Sequence, residues 1–355
     1  MKKGIVLFSL VLLLAFLFGC TNFDNDKNSG NDSNNINEKS APEFLEIKDY
    51  YPMKENIKYF YEGKGSEYAS YNVYIDYTSE GKVQQRVDNG GTVMAKVVEL
   101  KDGKITRLLS RGEAYYRENL LETKFDEDEV LLMEPLTKGT TWKLKDSRVR
   151  TITDTSVDIT TPAGSYKAIE VVTEGSNDKT IDYYAKNVGL VKSVFTSGET
   201  EVTSSLSKIE ENVSLTQKIS FFYPNVNDDK IYYKDKDISF KTNDITRQVL
   251  ASAYNELIDN SLGKVFSTNA KINSLYLNKD NMVYIDLNKD FVRSMNAGSG
   301  YESMILQSIA NTFGKYYNSE KIILTIDNNL YESGHIVMEK GQYIEVKYDD
   351  AIEIK

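Results

Sequence analysis

The chain has 355 residues, a formal net charge of −10, and 40% hydrophobic residues, enough apolar material for one or two cores. An acidic balance with no basic cluster argues against nucleic acid as a partner and against docking to anionic lipid by charge. With one cysteine and one histidine in the whole sequence, a disulfide framework and the usual Cys/His metal clusters are excluded too.

Residues 1–20 read as a signal peptide. Lys2 and Lys3 form its basic start, and residues 5–18 are apolar but too short for a lasting membrane span. The segment ends in Leu17-Phe18-Gly19-Cys20, which resembles the lipobox of bacterial lipoproteins, although Phe18 is bulkier than is usual there. The resemblance implies lipid attachment at Cys20, with the protein held on the outer face of the cytoplasmic membrane. The alternative is an ordinary secretory peptide in which Cys20 is incidental. Residues 21–42 are Asn, Asp, Ser, Lys and Gly with almost nothing apolar. Such a stretch cannot offset its ordering entropy and is expected to be a disordered tether, with a reach on the order of 25 Å.

Residues 43–212 carry short runs of Tyr, Val, Ile and Thr about every ten residues, broken by turn residues. Tyr71, Val73, Ile75 and Tyr77 alternate against polar neighbours, and Lys101-Asp102-Gly103-Lys104 has the chemistry of a tight hairpin. Further strands fit residues 149–160, 166–173, 179–185 and 190–196, and one helical turn fits 118–123. The expected fold is an all-β antiparallel sheet, a sandwich or part-barrel, with Trp142 in its core. Phrases such as Lys138-Gly139-Thr140-Thr141-Trp142 and Thr161-Pro162-Ala163-Gly164-Ser165-Tyr166 resemble those of β-rich domains in Gram-positive lipoproteins, a resemblance that carries no activity with it.

A polar join at residues 210–217 leads to a second domain, 217–355, of different periodicity. Residues 219–223 start a strand and 230–234 return as its partner. Asn243 or Asp244 caps a helix lined by Ile245, Val249, Ala253 and Leu257. Residues 271–278 and 282–287 pair across Lys279-Asp280-Asn281. After Phe291 and the Gly298-Ser299-Gly300 loop, a helix carries Tyr301, Met304, Ile305, Ser308, Ile309, Thr312, Phe313 and Tyr316 on one face. A buried strand follows at 321–327, and residues 334–338 and 343–348 read as two closing strands.

This order of features is similar to the GerMN domain of sporulation and germination lipoproteins, over about residues 217–338. The matching positions are Val283-Tyr284-Ile285-Asp286-Leu287, Phe291, Gly300, Glu302, Gln307, Asn311-Thr312-Phe313 and Ile326-Asp327. The sequence departs from the family at Asn260-Ser261-Leu262-Gly263 and at Asp327-Asn328-Asn329, so the shape of both loops is open. The resemblance implies an α+β fold like the modules that build rings and channels between the membranes of a sporulating cell. It also implies structural roles for Asp286, Phe291, Gly300, Glu302, Gln307 and Thr312, and envelope or sporulation-complex proteins as partners. The family's typical member carries two such domains, so an envelope role in the growing cell stays open.

No cofactor, metal site or catalytic set is expected. His335 is read as a structural or surface histidine, and Gly298-Ser299-Gly300 lacks the spaced glycines and lysine of a phosphate loop. Two alternatives to an assembly module remain. The β-rich domain could carry a lipid or cell-wall fragment, which requires a chamber of several hundred Å3. An envelope hydrolase would require two carboxylates converging in a cleft.

Overall fold

A computed structural model describes residues 45–256 and 261–354. The signal peptide with Cys20, the tether at 21–42, and Leu257 lie outside the described residues.

Twelve strands make one antiparallel sheet. The first meander is β1 (Ile57–Lys64), β2 (Tyr71–Ser79), β3 (Lys82–Asp88), β4 (Val93–Lys101), β5 (Lys104–Arg111) and β6 (Glu129–Met133). The second is β7 (Thr141–Lys143), β8 (Val149–Thr161), β9 (Gly164–Glu174), β10 (Asp178–Ala185), β11 (Gly189–Ser197) and β12 (Thr200–Glu211). Within each meander every strand pairs with the next, and β1 joins β12, so β6 and β7 are the two ends of the sheet. Those ends meet. Trp142 Nε1 on β7 and Arg150 Nη1 on β8 donate to the same carbonyl, Val130 O on β6, at 3.0 and 2.6 Å. The sheet is therefore curled into a part-barrel whose seam is closed by side chains. The β4–β5 hairpin turns on Asp102 and Gly103, both at positive φ (50° and 66°), as a primed turn requires. At 118–123 no helix forms, only a turn closed by Thr123 N donating to Leu120 O at 3.2 Å. Residues 112–128 instead form an irregular strap whose Leu120 and Leu121 pack on the outer face of β2 and β4.

A link at residues 212–214 leads to β13 (Leu215–Asn225), paired along its whole length with β14 (Lys230–Phe240). Then come α1 (Thr246–Asn255), β15 (Ile272–Leu277), β16 (Val283–Leu287), the short α2 (Asp290–Arg293), α3 (Ser299–Tyr317) and β17 (Lys321–Ile326). β16 and β17 are parallel, a pairing that needs the crossover α3 supplies. The closing elements are β18 (Asn329–Leu330), β19 (Ile344–Glu345) on β17, and β20 (Ile352–Glu353), parallel to β14.

Four expectations are corrected. The buried face of α1 is Thr246, Leu250, Ala253 and Tyr254, while Ile245 precedes the helix and is exposed. Neither Asn243 nor Asp244 caps it: Asn243 Oδ1 accepts from Thr78 N and Asp244 Oδ2 from Lys241 N. Residues 334–338 form no strand, only a single bridge from Val337 to Glu332, and the second closing strand shrinks to β19. Sparse apolar residues there leave the segment held by turns.

Three apolar clusters result: the barrel interior, the strap on its outer face, and a C-terminal core of β13 to β17 with α1 and α3. The strap also reaches the C-terminal core. The Tyr116 and Tyr317 rings meet at a tilt of 53° with centres 4.8 Å apart, and Arg117 N donates to Tyr316 Oη at 2.9 Å. From Leu45 onward the chain forms one compact unit.

Candidate functional site

The part-barrel encloses a chamber of about 320 Å3, within the usual range of small-molecule sites, roughly 300–1,000 Å3. Strand alternation decides what faces it. Along β4, Ala95 and Val97 pack outward beneath the strap, so Lys96 and Val98 turn inward. β1 and β2 contribute Tyr59, Tyr61, Tyr71 and Val73. The Tyr61 and Tyr71 rings stack at 4.5 Å, and Tyr61 Oη donates to Leu190 O at 2.8 Å. Across the chamber stand Asp182 and Tyr184 on β10 and Ser193 on β11.

Most of the charge in the chamber is already answered. Arg107 Nε pairs with Glu127 Oε2 at 2.7 Å and its Nη2 with Glu129. Arg150 Nη2 pairs with Glu129 Oε1 at 2.5 Å, and its Nε donates to Thr173 Oγ1 at 2.9 Å. Asp182 accepts from Ser193 Oγ at 2.6 Å. Burial pushes the Asp182 carboxyl up, and Glu129 adds to that push. So the two carboxylates at the wall both have partners, and Glu129 is committed to two guanidiniums. Lys96 differs. It makes no hydrogen bond or ion pair with any described residue, and burial followed by the nearby Arg107 charge holds its ammonium below the usual lysine range. Sequence reading singled out none of these residues. The available signal was a lysine one position out of phase with Ala95, Val97 and the outward face, but a charged residue in a strand normally reads as the wet side.

In the C-terminal region the six family positions do not converge on one cleft. Asp286 on β16 ties three segments, accepting from Asn273 Nδ2 (2.8 Å), Thr325 Oγ1 (2.6 Å) and Asn328 N (2.7 Å). Phe291 is buried against Phe266. Gly300, Glu302, Gln307 and Thr312 all lie on α3. Gly300 has open space around it. Glu302 is buried and accepts from Tyr331 Oη at 2.5 Å. Gln307 Nε2 donates to Asn311 Oδ1 and Glu345 O, both at 2.8 Å, which holds β19 to the helix. Thr312 closes a ring of three hydrogen bonds on the edge of β13 that no strand covers. Phe222 N donates to Thr312 Oγ1 (3.0 Å), which donates to Tyr254 Oη (3.0 Å), which donates to Phe222 O (2.6 Å). Two helices thereby do the work of a missing strand for that residue.

The outer face of this region's second sheet is open. Opposite the side packed on α3, Tyr276, Tyr284 and Ile323 stand in register across β15, β16 and β17. The two tyrosine rings stack at 5.6 Å, and Tyr276 is 43% exposed. His335 is exposed in a turn, its N–H donating to Ser333 Oγ. Gly298 is the N-terminal flank of α3, whose first turn carries the carboxylate of Glu302, which disfavours an anion there. Among the described residues no group of three or more His, Cys, Asp and Glu could hold a metal ion.

Residues 220–332 match the family model described as "Germane: Sporulation and spore germination". This segment is a Germane domain. Its limits run from β13 through the ring at Phe222 to the turn after β18. In the loop after α1, Gly263 N donates to Pro224 O at 2.7 Å, and a Cβ there would meet Tyr301 Oη at 1.7 Å. No curated protein matches the sequence. Similar solved structures include the tandem GerMN domains of the sporulation protein GerM from Bacillus subtilis, 14% identical, TM-score 0.27, over 36% of this chain and 46% of that one. An exported protein with a YmcC-like fold from Bacteroides fragilis is 15% identical, TM-score 0.29, over 45% of this chain and 98% of that one. A lipoprotein from Clostridium perfringens is 19% identical, TM-score 0.25, over 37% and 87%. The Germane domain follows the curled β sheet in this chain.

Proposed function

We propose that this is a lipid-anchored, non-enzymatic envelope protein whose Germane domain makes protein–protein contacts in sporulation or spore germination. The observation that carries the reading is the open sheet face of a domain whose family is described by those two processes. The stacked Tyr276–Tyr284 pair beside Ile323 offers aromatic and aliphatic surface outside the domain core, the composition enriched at interface centres. Cys20, after an apolar leader, supplies the thiol for the anchor, which sets the protein outside the cytoplasmic membrane.

The test is in-cell crosslinking from both growing and sporulating cells, with the native chain and with Tyr276→Glu. The expected result is a defined set of envelope-assembly proteins, crosslinked during sporulation and lost with the variant. Equal recovery from Tyr276→Glu overturns the docking face. Labelling with a fatty-acid analogue should mark the native chain and not Cys20→Ala; equal labelling of both overturns the anchor.

A further inference from the structure

We propose that the chamber of the part-barrel binds a small amphiphilic anion, its single anionic group on Lys96 and its apolar body against the tyrosine wall of β1 and β2. This goes beyond the role proposed for the Germane domain and does not depend on it.

The argument begins with what the chamber lacks. Arg107 and Arg150 are neutralised by Glu127 and Glu129. Asp182 is satisfied by Ser193. Lys96 is left as a cation with no counter-charge within bonding distance among the described residues, on a wall that also carries Val73, Val98, Tyr59 and Tyr71. A charge kept inside a fold is costly unless it is paired. A methionine or leucine would fill the same inward position of β4 at lower cost. The lysine therefore acts where an anion completes it. Burial depresses its ammonium, in keeping with a site that lacks its partner.

The body of the ligand follows from the remaining wall. Tyr61 and Tyr71 are stacked, so they present one continuous aromatic surface, extended by Val73 and Val98. The wall favours an alkyl chain or flat ring over a polyanion, since among the described residues that line it only Lys96 lacks a partner. The volume limits the ligand to a short chain or a single ring system. A carboxylate and a phosphate monoester would answer Lys96 equally in kind, so the experiment separates them.

The chain from Thr21 onward, which keeps every described residue, is titrated calorimetrically with decanoate, decyl phosphate and decyltrimethylammonium. The expected result is binding of an anion and none of the cation. Tighter decanoate assigns a carboxylate ligand, and tighter decyl phosphate a phosphate ester. Lys96→Met should weaken the anion by about tenfold or more, the worth of one charge-assisted hydrogen bond, while Lys96→Arg keeps it. On the native chain, independent of any variant's folding, decanoate should slow acetylation of Lys96 and leave the exposed Lys101 unchanged. Binding of the cation as tight as the anions overturns the proposal. So does unchanged acetylation of Lys96, unchanged affinity in Lys96→Met, or no anion binding at millimolar concentration.

Discussion

Arg117 and Asp76 face each other with both side chains fully buried, Nε to Oδ1 at 3.7 Å, where the part-barrel meets the Germane domain. Neither of those two atoms has a hydrogen-bond partner. The other carboxylate oxygen takes Arg86 Nε at 2.9 Å, so one acid serves two guanidiniums. Burial pushes the Asp76 carboxyl up, and Arg86 and Arg117 oppose that push. Arg117 spends its remaining donors across the joint. Nη2 reaches Asp76 O (2.7 Å) and Lys241 O (2.9 Å), and Nη1 reaches Tyr77 Oη (2.9 Å) and Asp244 O. Its guanidinium also lies 4.1 Å from the centre of the Tyr77 ring. One side chain thus ties β2 to the end of β14 and the start of α1.

The two halves of this cluster should respond unequally to mutation. Asp76→Ala strands two buried cations, whereas Arg117→Met leaves Asp76 with Arg86. Breaking a buried pair costs about 3–5 kcal/mol, so urea melts of the intact chain should place Asp76→Ala at or above that loss and Arg117→Met below it. Arg111→Met, which removes a half-exposed partner of Glu118, should cost under about 1 kcal/mol. An Arg117→Met melt no worse than that of Arg111→Met would show that the joint rests on other contacts.

The hydrogen-bonded ring at Thr312 makes a second prediction. Thr312→Val keeps the shape and removes the hydroxyl. Phe222 N then loses its acceptor and Tyr254 Oη its donor in a buried site. Leaving a buried polar group unsatisfied costs about 1–3 kcal/mol, and Thr312→Ser, which keeps the hydroxyl, should cost less than Thr312→Val. Urea melts that rank the two the other way would show that the methyl group, not the ring, matters at this position.

Where the sequence could be read, local chemistry and final burial agreed. The run of alternating Tyr, Val and Ile placed β8 to β11, and Asp102-Gly103 placed a hairpin. The GerMN-like order placed β16, α3 and β17 on the right residues. Where it misled, a distant contact decided the outcome. Thr246 turns inward on α1 because its Oγ1 meets Tyr77 Oη at 3.0 Å on the other side of the joint, which rotates the helix away from the stripe through Ile245. Residues 334–348 have no alternation strong enough to hold a strand, and β19 forms only where β17 offers an edge. Lys96 was invisible for a related reason. The curl of the sheet, set by Trp142 and Arg150 across the seam, decides which face of β4 is inside.

Buried tyrosines set the alkaline limit of stability. Burial pushes Tyr59 up to about 12 and holds Tyr61, Tyr184, Tyr254 and Tyr317 well above the ordinary value. In the unfolded chain tyrosine ionises near ~10. Between that value and the folded ones the native state binds more protons, so its stability is full below pH ~10 and falls as pH rises through about 12. Spectrophotometric titration should show the buried phenolates appearing together with the loss of circular dichroism. Ionisation of nearly all tyrosines with the dichroism intact would mean the rings are open to solvent.

Finally, the Germane domain should depend on packing at Ile305 and Ile309 and not on His335. The two isoleucines sit one turn apart on α3, 2% and 0% exposed, in the core that α3 shares with β13, β16 and β17. Truncation to alanine removes apolar contact and leaves a cavity in that core. The expected loss is about 2–5 kcal/mol for each, a large part of a usual margin of roughly 5–15 kcal/mol. His335 is exposed beyond the last long strand, and its only described tie is a backbone hydrogen bond to Ser333, which alanine keeps. His335→Ala should therefore change the melt by no more than about 0.5 kcal/mol. Urea denaturation of the three variants in the intact chain makes the comparison. If His335→Ala proved the most damaging, or abolished an activity while its melt stayed native, a purely architectural reading of this domain would have to be given up.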